Sequence, residues 1–376
     1  MEDSKVYVAV GGKKLSGWTS VKIAEKLEAI ARTFEVGYTQ IPGETDPLKP
    51  GDAVEIMIGD DLVATGWVTK ISTSYTSSSL TRTVAGASKT IDLGDCCLPL
   101  DADKQYKKLT PKELLQKICE SFGIQVIDRV GKTDRISASF NSDSKIFDVL
   151  KKVLLKNSLL LTDDERGRLV IAASKGEGTA ADALVLGENV LSCEFSEDAS
   201  GLFSQYGVVG QGTNAGSDKT VKDTKPLGKA NSSRAGRSRT KVVVQKGNAT
   251  REESQTRADN MKAYAEARAR TLKYTVHGWR QSDGTLWKPN SLVRVKDPIT
   301  AADEELLITE VSYTMDASGQ KTQITCLGAD AFAYTDEPNQ EAAAEKSAKS
   351  KAKKSGDSSS AQYTKIKSTK SDWTTK

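Results

Sequence analysis

Histidine occurs once in 376 residues, at His277, and that scarcity removes more functions than any other feature of the chain. Zinc sites draw mainly on histidine or spaced cysteines, and Ser-His-Asp machinery needs a histidine beside a serine and an acid. Cysteine is nearly as scarce. Cys96, Cys97, Cys119, Cys193 and Cys326 are odd in number, none has CxxC spacing, and the adjacent Cys96 and Cys97 are badly placed to bond each other. Reduced, mostly buried thiols are expected. No apolar run approaches the roughly 18 residues that cross a membrane. The start, Met1-Glu2-Asp3-Ser4-Lys5, lacks the basic-then-apolar order of a signal peptide. No membrane span is expected, and the protein is expected to be made and kept in the cytosol unless something larger carries it out.

What is present is a soluble, globular composition, 37% hydrophobic and 28% charged, long enough for two to four domains. The net charge of +4 is unevenly placed. Residues 346–376 carry nine lysines against two acids, a surplus of +7, so the other 345 residues sum to −3. The basic balance belongs to the tail, and the folded body is close to neutral.

Residues 1–95 read as all-β. Val6, Val8 and Val10 alternate, as do Phe34, Val36 and Tyr38, and Val54, Ile56 and Ile58, with turn chemistry at Gly11-Gly12, Pro42-Gly43, Pro50-Gly51-Asp52 and Gly59-Asp60-Asp61. The spacing of Leu27, Ile30, Ala31 and Phe34 predicts a short helical turn. Residues 96–175 read as α+β. Thr110-Pro111-Lys112-Glu113 is a capping box with proline at the first helical position, Gly123 stops that helix, and a second helix is predicted near 144–156. Leu159-Leu160-Leu161 and Leu169-Val170-Ile171 form a predicted hairpin. Residues 176–211 and 276–334 are β again. Between them, 212–275 combines a basic, glycine-rich stretch, expected to be a mobile loop over 212–241, with a helix opened by Thr250-Arg251-Glu252-Glu253. That helix is expected to reach about Leu272, with Ala258, Met261, Ala265 and Leu272 on one stripe. Residues 335–376 read as a disordered basic tail.

Two distant stretches echo each other. Pro50-Gly51-Asp52-Ala53-Val54-Glu55-Ile56 aligns without gaps against Pro289-Asn290-Ser291-Leu292-Val293-Arg294-Val295. Each is followed by a turn, a strand (Val63 to Ile71; Leu306 to Tyr313), a polar loop and a last strand (Thr81 to Gly86; Thr322 to Gly328). The expected fold is therefore mixed α+β, mainly β. It has two similar small β-barrel domains, 1–95 and 176–211 plus 276–334, with the α+β domain and the loop–helix segment between them.

None of the chemical motifs is convincing. Gly207-Val208-Val209-Gly210-Gln211-Gly212 lacks the GK[ST] ending of a phosphate loop and no helix follows it. The acids Asp60-Asp61, Asp101/Asp103, Asp163-Asp164-Glu165 and Asp303-Glu304-Glu305 all sit at predicted turns and are expected to be solvated. His277, beside Gly278-Trp279, reads as a structural histidine. Lys222 to Lys241 holds seven basic residues and one acid, so phosphate contact is conceivable, but no aromatic is available for base stacking. No catalytic, cofactor-binding or metal-ligating residue is assigned, and no cofactor is expected.

The stretch Gly278-Trp279-Arg280-Gln281-Ser282-Asp283-Gly284-Thr285-Leu286-Trp287-Lys288-Pro289-Asn290, a GW–DG–LW–PN pattern, resembles the Mu-like phage tail protein P family. These are baseplate hub proteins related in fold to the T-even phage hub. Gly17-Trp18-Thr19-Ser20-Val21, Asp92-Leu93-Gly94-Asp95-Cys96, Leu186-Gly187-Glu188-Asn189-Val190-Leu191 and Phe203-Ser204-Gln205-Tyr206 follow in the family's order, over roughly residues 5–334. Residues 212–248 and 337–376 depart from it. The resemblance implies a virion structural subunit and not an enzyme. It implies a homotrimer whose two barrels per chain join a six-fold tail tube to a three-fold central spike, contact tube or other baseplate proteins, and line a channel through which phage DNA leaves without sequence-specific binding. The competing readings are a tail-associated cell-wall hydrolase, and a tail-associated DNA-binding protein acting through the basic loop and tail.

Overall fold

Alternation of apolar and polar side chains turns the first ninety residues into strands. In chain order they are β1 (Val6–Val10), β2 (Lys13–Leu15), β3 (Ser20–Lys26), β4 (Thr33–Thr39), β5 (Ala53–Ile58), β6 (Asp61–Tyr75) and β7 (Leu80–Ser88). The computed structural model describes residues 4–332 apart from 28, 40–46, 78, 156, 158, 212–226 and 249, so the expected tail lies outside the described residues. The helical turn expected around Leu27 does not form. Leu27 lies in a turn and Ala29 to Ala31 in a bend between β3 and β4, and Phe34 lies in β4. Phe34, Ile30 and Leu27 are each buried in a different apolar cluster. Their 3–4 spacing therefore marks a chain passing between cores.

Residues 90–173 form α1 (Ile91–Asp95), β8 (Gln105–Leu109), α2 (Pro111–Cys119), β9 (Val126–Asp128), β10 (Ile136–Ser139), α3 (Ile146–Leu155), β11 (Leu159–Asp163) and β12 (Leu169–Ala173). The capping box at the start of α2 is complete. Glu113 N–H donates to Thr110 Oγ1 at 3.2 Å, and Thr110 N–H donates to Glu113 Oε2 at 2.8 Å. The β11–β12 hairpin gains β9 as a parallel third strand. Leu114, Leu115, Ile118, Ile146, Leu150 and Leu154 close a core of their own.

The remaining elements are β13 (Leu184–Val185), β14 (Val190–Glu197), β15 (Gln205–Gln211), β16 (Leu227–Asn231), β17 (Thr240–Asn248), α4 (Arg251–Arg268), β18 (Arg270–His277), β19 (Leu292–Asp297), β20 (Ala302–Asp316) and β21 (Gly319–Leu327). α4 opens at the Thr250–Glu253 capping box but ends before Leu272, which is buried in β18. The expected mobile loop is corrected in part: 212–226 lies outside the described residues, while β16 and β17 flank β15 in a small sheet. Leu-Gly-Lys-Ala-Asn forms strands poorly by itself. β16 is held there because Gly228 lies against α4, where a Cβ would come 2.0 Å from Ser254 O.

The large sheet has thirteen strands, and its main path runs β14-β18-β21-β20-β3-β4-β7-β6-β5-β1-β2. Neither half closes into a barrel among the described residues, so the expectation of two separate barrels is corrected. The outer edge of β3 is taken by β20 of the other half, which leaves one continuous sheet. Its two halves are nevertheless copies. β5, β6 and β7 have 6, 15 and 9 residues, and so do β19, β20 and β21. The entry to each hairpin is tied alike: Gly51 N–H and Val68 N–H bond to Val68 O and Asp52 O, and Asn290 N–H and Ile308 N–H to Ile308 O and Ser291 O. Trp67 pairs with Ala87 and Val68 with Gly86, then a bulge follows. Leu307 pairs with Leu327 and Ile308 with Cys326, then the same bulge follows. The bulged threonines, Thr69 and Thr309, donate to Ala85 O and Thr325 O, both at 3.2 Å. The likeness extends past the stretch that echoes in sequence, since β3-β4-β7-β6-β5 and β14-β18-β21-β20-β19 are the same five-strand array.

Candidate assembly site

The GW–DG–LW–PN stretch is a clasp between the arrays. Gly278 and Gly284 turn the chain with φ of 72° and 85°. Trp279 is buried, and its indole N–H lies 3.0 Å from Thr314 O. Trp287 is also buried, and its carbonyl accepts from the Tyr313 hydroxyl. Arg280 reaches into the first array, to Asp61 Oδ2 at 2.6 Å and to Ile58 O at 3.1 Å. Asp283 faces its own turn, accepting from Thr285 N–H and Oγ1. Those hydrogen bonds hold its carboxyl below the usual range.

A second joint is an ion cluster around Arg32. Its guanidinium meets Glu25 Oε1 at 3.2 Å, Asp163 Oδ1 at 3.3 Å and Val63 O at 2.8 Å. Ser88 Oγ also donates to Asp163. The side chains are 14% exposed for Arg32 and 5% for each acid. Burial pushes both carboxyls above their ordinary range while Arg32 pulls them back, and the two acids hold Arg32 firmly charged. Asp163 and Asp164 were expected at a solvated turn, and both are buried. Asp164 receives Arg168 Nε at 2.6 Å and the N–H groups of Arg166 and Arg168.

A cavity of about 310 Å³ lies between these joints, with Glu25, Asp61, Glu165 and Asp283 facing Arg32, Arg280 and Lys288. Four acids face three bases, and among the described residues no serine or cysteine nucleophile lines it. The other singled-out residues are scattered. His277 is exposed at the end of β18, and Asp303 and Glu304 lie in β20, where they pair with Arg294 and Arg270, and not in a turn. Gly207 to Gln211 form β15. Only Cys119 and Cys326 of the five free thiols are buried. Burial raises Cys119 to about 12, which makes it inert. Among the described residues no cluster of His, Cys, Asp or Glu could hold a metal, and no helix is long and apolar enough to cross a membrane. The described part of the basic stretch is engaged internally. Arg234 meets Glu197 at 3.3 Å and Glu266 O at 2.9 Å, and Arg239 donates to Leu202 O at 2.8 Å and stacks on Phe203.

Among the described residues, two of the unpaired strand edges belong to the five-strand arrays. Among the described residues β14 pairs with β18 on one side and, apart from a bridge between Val190 and Leu186, with nothing on the other, and Leu191 and Phe195 are 55% and 43% exposed on it. β6 continues past the end of β5, so residues 70–75 pair, among the described residues, only with β7, and Tyr75 at their end is 79% exposed. Open edges of this kind are templates for further pairing. Sequence pattern alone identified the strands but not their free sides.

Comparison with known proteins agrees with this architecture along the chain. Residues 5–88 match the family model for the N-terminal domain of Mu phage baseplate assembly protein GpP-like proteins, 90–173 that for the second domain of gp44-like baseplate hub proteins, and 250–335 that for the fourth domain of Mu phage baseplate assembly protein GpP. Baseplate hub protein gp44 of Escherichia phage Mu is 29% identical over 338 residues, spanning 87% of this chain and 88% of that protein. The 43 kDa tail protein of prophage MuSo2 from Shewanella oneidensis matches with a TM-score of 0.77 at 28% identity, over 88% of this chain and 100% of that one. A tail protein of Neisseria meningitidis MC58 shares the fold, with a TM-score of 0.72 at 19% identity over 88% of this chain and 99% of that one.

Proposed function

Because this chain belongs to the Mu-like phage baseplate hub family, we propose that it is the structural hub subunit of a contractile phage or phage-like tail, acting as a homotrimeric ring. The observation that carries this is the five-strand array built twice in the same register, bulge for bulge. A trimer of such chains presents six similar arrays. It can meet a six-fold tail tube on one side and a three-fold central spike on the other. The role is mechanical and not enzymatic: the ring nucleates the baseplate, anchors the spike and surrounds the channel through which DNA leaves. A near-neutral body suits a channel wall that must not grip phosphate. The subunit assembles in the host cytoplasm and resides in the virion tail.

In this reading the chain divides into a first array (1–95), an α+β domain (96–175), a second array and an insertion. We place the insertion at 198–269, not 212–275, because β15 pairs with β16 and β17 while β18 belongs to the large sheet. Light scattering tests the proposal. A defined trimer is expected, alone or on adding spike or tube protein. A clean monomer at high concentration that stays monomeric with spike protein would sink it.

A further inference from the structure

The junction between the two arrays inside the chain is a template for a junction between chains. Within the chain, the outer edge of β3 pairs antiparallel with β20: Lys26 lies opposite Glu310, Ala24 opposite Ser312, Ile23 opposite Tyr313 and Val21 opposite Met315. The duplication gives each strand a counterpart. Val21 faces Val36, which faces Val84. Cys193 faces Tyr274, which faces Ile324. β14 is therefore the counterpart of β3, as β6 is of β20. β3 and β20 occupy each other, whereas among the described residues the matching sides of their counterparts are open.

We propose that β14 of one copy of this chain pairs antiparallel with residues 70–75 of β6 in a second copy, in the register of the internal junction. Asp198 then lies opposite Lys70, Ser196 opposite Ser72, Phe195 opposite Thr73 and Cys193 opposite Tyr75. The inference rests on the hub reading above and names its subunit contact.

Three observations support it. First, the charges are complementary after exchange. Lys26 bridges Glu310 at 2.8 Å inside the chain, and the transposed pair is Asp198 with Lys70, the same attraction with its signs reversed. Asp198 is held ionised by the Ser200 N–H it accepts. The reversal also discriminates. If β14 docked instead on β20 of another chain, Asp198 would meet Glu310, a like-charge pair that opposes association. Second, Phe195 occupies the position of Ile23. Ile23 is fully buried by its neighbours, while Phe195 is left 43% exposed beside an unfilled strand position. Third, each chain offers one edge of each kind, so the contact is heterologous. Such contacts close into a ring or run on as a filament.

Disulfide trapping in the full chain tests the register. Ser72→Cys and Ser196→Cys are placed together in one chain, with Cys96→Ser, Cys97→Ser and Cys193→Ala to remove the thiols that are not buried. Six strands separate β14 from β6 along the sheet, so the new thiols are positioned to bond between copies. Oxidation, alone and with spike protein, is expected to give covalent dimers and trimers and nothing larger, and neither single cysteine variant is expected to cross-link. A ladder running past trimer would support the pairing and overturn the closed ring. A trimer by light scattering that does not cross-link would overturn the register and leave the hub reading standing. No association under any condition would overturn both, and dimers from one single variant would overturn the heterologous contact. In parallel, Lys70→Glu is expected to weaken association about 5-fold, and adding Asp198→Lys to restore it. Loss without restoration would remove the ion pair from the contact.

Discussion

The same cross-strand pair, a glutamate facing an arginine, occupies the same corner of both arrays and has two different fates. In the first array Glu25 and Arg32 lie one step beyond the Ala24–Thr33 pair of β3 and β4 and bond through their side chains. In the second, Glu197 faces Arg270 across β14 and β18. The first corner is roofed by β20 and by the β11–β12 turn, which brings Asp163 to the far side of Arg32. Among the described residues the second has no such roof. Arg270 turns away to Glu304 at 3.0 Å and to Thr300 O, and Glu197 is met by Arg234. The difference teaches that the array does not set the chemistry of its corner; whatever packs on the corner does. In the first copy that cover comes from within the chain, and in the second we place another chain there.

The largest test of this contrast removes each arginine. Arg32→Met leaves Glu25 and Asp163 buried without their counter-charge and is expected to cost about 3–5 kcal/mol. Arg270→Met breaks a partly solvated pair and is expected to cost under about 1 kcal/mol in the unassembled chain. Urea unfolding measures both, and equal losses would remove the distinction. The first deficit should also depend on pH. Without Arg32 both carboxyls rise further above their unfolded values. A carboxyl raised in the folded state loses stability as pH climbs through the interval between the two values. The Arg32→Met deficit should therefore be smallest in acid and grow toward neutrality.

The second contrast is in the packing. Phe34 pairs with Gly86 in one copy, and Leu272 pairs with Cys326 in the other. A large residue over none is matched by two of middle size. A Cβ at Gly86 would lie 2.2 Å from both Phe34 Cζ and Trp67 O. Gly86→Ala is expected to cost about 3 kcal/mol. Cys326→Ala removes a single buried atom, and about 1 kcal/mol is expected. Reversing this order in a thermal or urea series would show that the two cores are not packed as counterparts.

How much of this could be read from the residues depended on distance along the chain. The capping boxes at Thr110 and Thr250 are local chemistry and were plain. The echo of β5–β7 in β19–β21 was visible because a proline turn precedes matching alternation in each. The rest of the repeat was hidden. In the second copy β14 and β18 are separated by β15, β16, β17 and α4, and their core residues are Cys193 and Tyr274 where the first has Val21 and Val36. The burial of Asp163 beside Arg32 is hidden from the sequence for a related reason. Asp163 lies 131 residues away, in a stretch of acids that looks like any solvated turn until another domain closes on it. The free sides of β6 and β14 could not be read at all, because alternation reports which face of a strand is buried and not which edge is paired.

A smaller test concerns a polar group in only one core. Tyr274 stands where Val36 does, fully buried, and its hydroxyl donates to Asp297 Oδ2 at 3.1 Å. Burial drives that phenol well above its ordinary range, so it stays protonated. Asp297 is itself buried and also caps the turn at Ile299 and Thr300. Tyr274→Phe should cost about 1.5 kcal/mol, since it strands one acceptor lone pair while the others stay bonded. Val36→Ala in the first copy should cost more, about 2 kcal/mol, through a cavity alone.

The bulges give the smallest and most discriminating comparison, because there the two copies match atom for atom. Thr69 and Thr309 make the same 3.2 Å bond to Ala85 O and Thr325 O, but Thr69 is exposed and Thr309 is only 7% exposed. Replacing either hydroxyl with the isosteric methyl of valine leaves the bulge in place and removes one bond. In water that bond is replaced by solvent, so Thr69→Val should be near neutral, within about 0.5 kcal/mol. At Thr309 less solvent can take over, and about 1 kcal/mol should be lost. If the ring forms by pairing β14 with β6, Thr69 sits at the margin of that contact as Thr309 sits beside β3. The cost of Thr69→Val should then rise toward that of Thr309→Val when unfolding is followed on the assembled protein, and should stay near zero if β6 remains open.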